Sequence, residues 1–257
     1  MAKAPRPGQV KTRLVPPLTP EEATALNAAF LRDITATIAS VGRDLPTAGF
    51  VAYAPAGGEA LFEGKLAPRT GLVLADGSVP MPAGVSGIGR SLIHAMRSLL
   101  GCGFGGVCLI NSDSPTLPAA ILAQAVAAFA DGRQVVLGPA EDGGYYLIGV
   151  PATLAPRAEA LFRDIPWSTP GVTAATLDRA AAVPLAVLSL PAWYDVDDAA
   201  SLRRLAGELA DDTGHAAGTA PHTAAIVARL GLGRRLAEAP VGPLAGSMAG
   251  SRADPIR

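Results

Sequence analysis

Apolar positions along the chain form one long stripe and several short runs, and each predicts an element. Leu26, Phe30, Ile34 and Ile38 recur every four residues, the spacing of a helix with one buried face. Thr19, Pro20 and Glu22 just ahead supply a cap, a first-turn proline and the partner of a capping box. They predict a helix from Pro20 to about Val41. Residues 49–55 (GFVAYAP) and 69–76 (RTGLVLAD) read as strands, the second leading into loop residues through Gly84. Residues 87–100 predict a helix with Leu92, Met96 and Leu99 inward. The run 105–110 (GGVCLI) closes on Asn111-Ser112-Asp113-Ser114-Pro115, the pattern of a buried parallel strand ending at a polar loop.

The same alternation continues downstream. A helix opening at Pro118 and ending near Ala130 precedes a strand at 134–140, the turn Glu141-Asp142-Gly143-Gly144 and a strand at 145–150. A helix from about Pro170 to Ala181, a strand at 184–190 and an amphipathic helix at 199–209 follow. Strands alternating with helices predict an α/β domain over residues 1–210, a mostly parallel sheet with helices on both faces. From Asp211 onward the chain is rich in Ala, Gly, Pro and Thr. One helix at 223–230 fits an extension over 211–237, and 238–257 has the composition of a disordered tail.

Composition removes several classes of function. Net charge is −1, with 21 basic against 22 acidic residues, which argues against nucleic acid as a partner. Hydrophobic residues make up 49% and charged residues 17%, enough for a sizeable core. No apolar run is long enough to span a bilayer and no charged-then-apolar leader opens the sequence, so a cytoplasmic protein is expected. Cys102 and Cys108 lack metal-site or CxxC spacing and read as two free thiols. Histidine supports no zinc site: His94 falls near the polar edge of its helix, and His215 and His222 fall in the extension. No GxSxG is present to suggest a hydrolase triad.

Acids stand at the ends of three predicted strands, where open parallel sheets place their ligands. Asp113 follows the first, Asp142 the second, and Asp195, Asp197 and Asp198 the third. An acid at such a place can hold Mg²⁺, which takes one or two carboxylates alongside phosphate oxygens and water. Asp113 is the best single metal candidate; its alternative role is to cap the turn that follows. Asp142 lies beside Gly143 and Gly144, which allow backbone to approach a ligand closely; its alternative is a plain turn. Asp195 and Asp197 could supply a second metal ligand, whereas Asp197 or Asp198 could instead cap the last helix. Trp167, in Ile165-Pro166-Trp167-Ser168-Thr169, fits either a pocket wall or simple packing.

The first thirteen residues, MAKAPRPGQVKTR, carry Lys3, Arg6, Lys11 and Arg13 around Pro5, Pro7 and Gly8. The prolines and Gly8 exclude regular structure, so the segment is either a solvated tail or a stiff cationic loop. In the second case Lys11 and Arg13, with Lys3 and the backbone at Pro7 and Gly8, would meet phosphates. The loop is neither a Walker loop nor a GxGxxG turn.

In order, AKAPRPGQVKTRL, NSDSPTLP, GPAEDGGYYLIGV, LFRDIPWSTPGV and WYDVDD resemble the motifs of the family DUF2064, over roughly Met1 to Leu209. Its members are described as transferases associated with radical-SAM or selenodomain proteins, some as arsenosugar-biosynthesis glycosyltransferases. The resemblance implies a glycosyltransferase-A-like, nucleotide-diphospho-sugar transferase fold with a Mg²⁺ (or Mn²⁺) site. It implies Asp113 as the metal-binding acid and Lys11 and Arg13 at the nucleotide phosphates; in a sugar transferase so built, Asp142 would face the acceptor or sugar hydroxyls as a general base. The partners so implied are a nucleotide sugar and a small acceptor. KTRL also resembles the guanylyltransferases of deazaflavin-cofactor synthesis, which keeps nucleotidyl transfer from a nucleoside triphosphate open, as well as a nucleotide-binding module without catalysis. Family members place an apolar strand before the AKAPRPG segment, whereas this sequence begins inside that element. A start upstream of Met1, or loss of that strand, is therefore expected, with a gap in the sheet and unpaired backbone groups beside it.

Overall fold

The computed structural model describes residues 1–129, 131–211 and 215–238. Strand β1 (Ala2–Lys3) is followed by a loop containing a short 3-10 turn, Thr12–Leu14, and then by α1 (Pro20–Val41). Next come β2 (Phe50–Ala54), β3 (Gly71–Leu74), α2 (Ile88–Gly101), β4 (Gly106–Ile110) and α3 (Ala119–Ala127). Then follow β5 (Gln134–Pro139), β6 (Tyr145–Pro151), the single turn α4 (Ala155–Ala158), α5 (Val172–Ala182), β7 (Ala186–Ser189) and α6 (Ala199–Ala210). Three short helices close the described chain: α7 (His215–Thr219), α8 (Pro221–Arg229) and α9 (Leu232–Glu238).

The capping box predicted for α1 is formed: the Glu22 amide donates to Thr19 Oγ1 and the Thr19 amide to Glu22 Oε2. The strands lie in two ladders. In one, β1 pairs parallel with β2, and β2 with β3. In the other the order is β4-β6-β5-β7. Here the expectation for 105–110 needs correcting, because β4 pairs with β6 antiparallel rather than with a parallel neighbour. β6 is also antiparallel to β5, and β5 is parallel to β7. One reversed strand therefore separates β4 from β5, which leaves β4, β5 and β7 running in the same direction. Their carboxyl ends share one edge, as the strand-end acids require.

Alternation along the strands builds two cores. Val107 and Leu109 of β4, Val135 and Leu137 of β5, and Ile148 and Val150 of β6 pack with Leu92, Ile93 and Met96 of α2 and Ala180 of α5. Val136 and Leu147 face the other way, onto Ile34 and Val41 of α1 and Ile121, Leu122 and Ala125 of α3. The sheet is thus covered on both faces, as period-two alternation with apolar residues on both sides demands. A third cluster joins Leu14 and Leu18 of the first loop to Phe30, Tyr194, Val196, Leu202, Val227 and Leu236. That cluster clamps the first loop against residues 194–196.

The extension holds more structure than its composition suggested. Three helices are present rather than one, and α8 packs along α1. Buried Asp33 of α1 accepts hydrogen bonds from the amides of His222 (3.1 Å) and Thr223 (2.7 Å) at the start of α8. Of the tail expected to be disordered over 238–257, Glu238 ends α9, and 239–257 lie outside the described residues. His94 is another correction. Its helix turns it inward, where it is buried and its Nδ1 accepts a hydrogen bond from the Gly77 amide.

The two ladders meet at the chain's first residue. Among the described residues, the edge of β4 that faces β2 receives one backbone bond, from the Met1 amine to the Ile110 carbonyl (2.7 Å). Burial pushes that ammonium down to about 6. Beyond it an apolar groove of about 600 Å³ separates β2 from β4, lined among others by Ile38, Val41, Phe50, Phe104, Cys108 and Phe129. The groove lies between the two ladders.

Candidate functional site

Loop 4–19 reaches the sheet edge on which β4, β5 and β7 end. Its turn at Arg6–Gln9 is closed by the Gln9 amide donating to the Arg6 carbonyl, with exposed Gly8 at φ 73°. Lys11 then adopts a left-handed conformation (φ 49°), and Thr12–Leu14 wind into the 3-10 turn that buries Leu14. With Leu14 anchored, the Lys11 side chain is directed inward and is only 5% exposed. Its ammonium sits among three oxygens: Asp113 Oδ1 at 2.6 Å, the Val196 carbonyl at 2.8 Å and Asp197 Oδ1 at 3.1 Å. The Phe30 ring lies below it, 5.3 Å from Nζ to centroid. Arg13 lies in the open, 71% exposed, and its Nη2 donates to Asp197 Oδ2. A desolvated ammonium needs such partners, since unpaired it would cost several kcal/mol (order of magnitude).

The acids are held by their own strand ends. Asp113 stands three residues past β4. Its carbonyl accepts from the Val196 amide (2.9 Å), which ties the β4 loop to the segment before α6. Asp195 braces the same junction, with Oδ1 accepting from Asn111 Nδ2 (2.7 Å) and Ser114 Oγ (2.6 Å). Burial pushes the Asp195 carboxyl up to about 6. The nearby charges of Asp113 and Asp197 act in the same direction, while the two side-chain donors oppose them. Asp198, not Asp197, caps α6: it receives the Ser201 amide in a reciprocal box. Asp197 is thereby free to face Lys11 and Arg13.

The remaining sequence candidates lie elsewhere on the same structure. Lys3 is exposed at the end of β1, and Pro7 is exposed in the loop tip. Asp142 is exposed on the turn after β5, and its Oδ1 accepts from the Gly144 amide (2.9 Å). That bond is the turn-forming role weighed for it. Gly143 has φ 89°, and a Cβ there would lie 2.1 Å from the Pro170 carbonyl oxygen, so the turn is pressed onto the loop before α5. Trp167 packs over Gly87 and Gly89 at the start of α2 and edge-on to Tyr145, with ring centroids 6.3 Å apart. Its indole N–H is buried without a partner. Among the described residues, no hydrogen bond or ion pair joins Asp142 or Trp167 to the Lys11 cluster. The large apolar groove likewise contains none of Lys11, Asp113, Asp195 or Asp197.

Whether a divalent cation suits this cluster follows from its donors. Among the described residues no group of three or more His, Cys, Asp or Glu is arranged to hold a metal. Asp113 Oδ1 and Asp197 Oδ1 do converge, with an ammonium between them. Two hard carboxylate oxygens match the protein share of a Mg²⁺ site that is completed by phosphate and water. The donors fit, and Lys11 stands at the point on which they converge.

Comparison with known proteins agrees with this architecture. A family described as an uncharacterized protein conserved in bacteria (DUF2064) matches residues 25–169. The chain belongs to that family. The matched span includes Asp113, Asp142 and Trp167 but neither Lys11 nor the Asp195–Asp198 segment. No curated protein matches the chain. Among solved structures, it is similar to a "putative nucleotide-diphospho-sugar transferase" from Desulfovibrio desulfuricans G20. The two share 27% identity at a TM-score of 0.72, over 89% of this chain and 94% of that one. This member of the family thus has a mixed α/β fold like that of the neighbour. Among the described residues no helix is long and apolar enough to cross a membrane.

Sequence reasoning missed the partners that organise the acids. Asn111 and Ser114 lay in the loop already singled out, and the spacing Asp198-x-x-Ser201 was a legible capping signal. The Val196 carbonyl and the Phe30 ring carried no sequence signal of their role.

Proposed function

We propose that this protein transfers a sugar from a nucleotide-diphosphate donor to a small acceptor, with Mg²⁺ or Mn²⁺ at Asp113 and Asp197. The observation that carries the reading is the convergence of the first loop's cations on the strand-end acids. Lys11 pairs with Asp113 and Asp197, and Arg13 with Asp197, on the edge where parallel strands end. The likeness to the D. desulfuricans protein supports it, since that protein is named a "putative nucleotide-diphospho-sugar transferase".

Chemically, sugar transfer leaves charge on a departing diphosphate. Exposed Arg13 can fork two N–H groups onto phosphate oxygens, and each such charge-assisted bond contributes roughly 1.5–3 kcal/mol. When bound, the metal neutralises part of the leaving-group charge. Asp195 positions rather than reacts: by accepting from Asn111 and Ser114 it fixes the loop that carries Asp113. Asp142, exposed at the end of β5, is assigned to the acceptor hydroxyl as general base. Gly143 and Gly144 beside it, and Trp167 across the loop before α5, are assigned to the acceptor or sugar pocket.

Incubation with Mg²⁺ and panels of nucleotide sugars and nucleoside triphosphates tests the assignment. The expected product is a free nucleoside diphosphate. Release of pyrophosphate from a triphosphate, with no turnover of any nucleotide sugar, would replace it with nucleotidyl transfer.

A further inference from the structure

We propose that Lys11 is a resident counter-ion that a divalent cation must displace, so that metal binding and release of the first loop's lysine are one event. The inference rests on the reading of Asp113 and Asp197 as the metal-binding acids, and it assigns Lys11 a role other than permanent phosphate ligand.

Three observations support it. The Lys11 ammonium is enclosed by two carboxylate oxygens and one carbonyl oxygen, at 2.6, 3.1 and 2.8 Å. That is a set of hard oxygen donors suited to a small cation. The ammonium is also almost wholly removed from solvent, whereas Arg13 on the same loop is 71% exposed. While the cage is closed, therefore, Arg13 alone of the two presents donors to solvent, those beyond its bond to Asp197. Finally, the lysine backbone is held at φ 49°, a conformation that side-chain-bearing residues rarely adopt. Two positive charges cannot occupy one carboxylate pair at contact distance, because their repulsion in a weakly solvated site is large. Binding of a divalent ion must therefore move the ammonium, and the freed lysine rejoins the exposed side of the loop beside Arg13.

The test uses Mn²⁺ alone, without nucleotide. Lys11→Met keeps an apolar stem against Phe30 and removes the charge. This variant should bind Mn²⁺, followed by electron paramagnetic resonance or calorimetry, at least ten-fold more tightly than the natural chain, and Asp113→Asn should abolish that binding. Equal affinity in the two, still lost in Asp113→Asn, would overturn the competition while leaving the metal site standing. No Asp113-dependent Mn²⁺ binding in either would remove the metal site and the inference with it. A second measurement needs no variant. The chain has three lysines, Lys3, Lys11 and Lys65, so acetylation of each can be followed by mass spectrometry. Lys11 should be protected relative to Lys3 and Lys65 and become reactive at saturating Mn²⁺; protection that persists with metal bound overturns the proposal.

Discussion

Asp142 shows how a residue's environment bears on its proposed work. Its Oδ1 is engaged by the Gly144 amide, which orients the carboxylate without burying it. If it is the general base, Asp142→Asn should lower kcat by about 10²–10⁴-fold with little change in nucleotide affinity. An unchanged kcat in steady-state assays would leave Asp142 as a turn former. The acids of the site were legible in the sequence because each follows an apolar run that could only be a strand. Their pairing was not legible, since Lys11 and Asp197 lie 186 residues apart and no local pattern records the contact. Asp197 and Asp198 could not be separated from composition alone. The Ser201 box resolves them, giving one to the helix and the other to Lys11.

Among the elements, α1 and most strands followed from periodicity, because amphipathic stripes and buried runs are local properties. The reversal of β6 did not, since strand order depends on which ladder a segment joins and not on its own residues. The helices α7 and α9 escaped because five and seven residues are too short to show a stripe, and docking onto α6 and α8 supplies what propensity lacks. The link to α8 gives a pH signature. Burial raises the Asp33 carboxyl above its ordinary value, although the Thr223 and His222 amides oppose the shift. A raised folded-state value favours folding while the acid is protonated, and that contribution is lost as pH rises through it. Asp33→Asn should therefore gain stability relative to the natural chain as pH rises above the ordinary carboxylate range, read by urea unfolding at several pH values. A difference that does not change with pH would contradict the assignment.

The groove between β2 and β4 makes a second prediction at this scale. The β1 ladder places Ala2 opposite Tyr53, so positions preceding Met1 would run beside Val51 and Phe50 on one side and β4 on the other. A form carrying four or five apolar residues ahead of Met1 should fill the groove. Each buried side chain contributes about 1.5–3 kcal/mol against about 1–2 kcal/mol of backbone ordering. With the added ladder bonds, the melting midpoint should rise by roughly 5 °C or more. Equal midpoints for the two forms in a thermal melt would show that the groove is not a strand site.

For the whole molecule, the proposed function rests on one arrangement: a cationic first loop folded back onto acids delivered by β4 and β7, at the edge where the parallel strands end. Neither half is specific alone. A loop of prolines and cations resembles a tail, and acids at strand ends resemble turns. The cluster of Leu14, Phe30, Tyr194 and Val196 packs them together, and the proposed diphosphate site depends on their union. The most direct test is calorimetric titration with nucleoside diphosphates, with and without Mg²⁺, on the natural chain, Arg13→Ala and Asp113→Asn. One diphosphate should bind more tightly with Mg²⁺, Arg13→Ala should weaken it in both conditions, and Asp113→Asn should lose only the Mg²⁺-dependent gain. Binding that ignores Mg²⁺ and both substitutions would contradict the account.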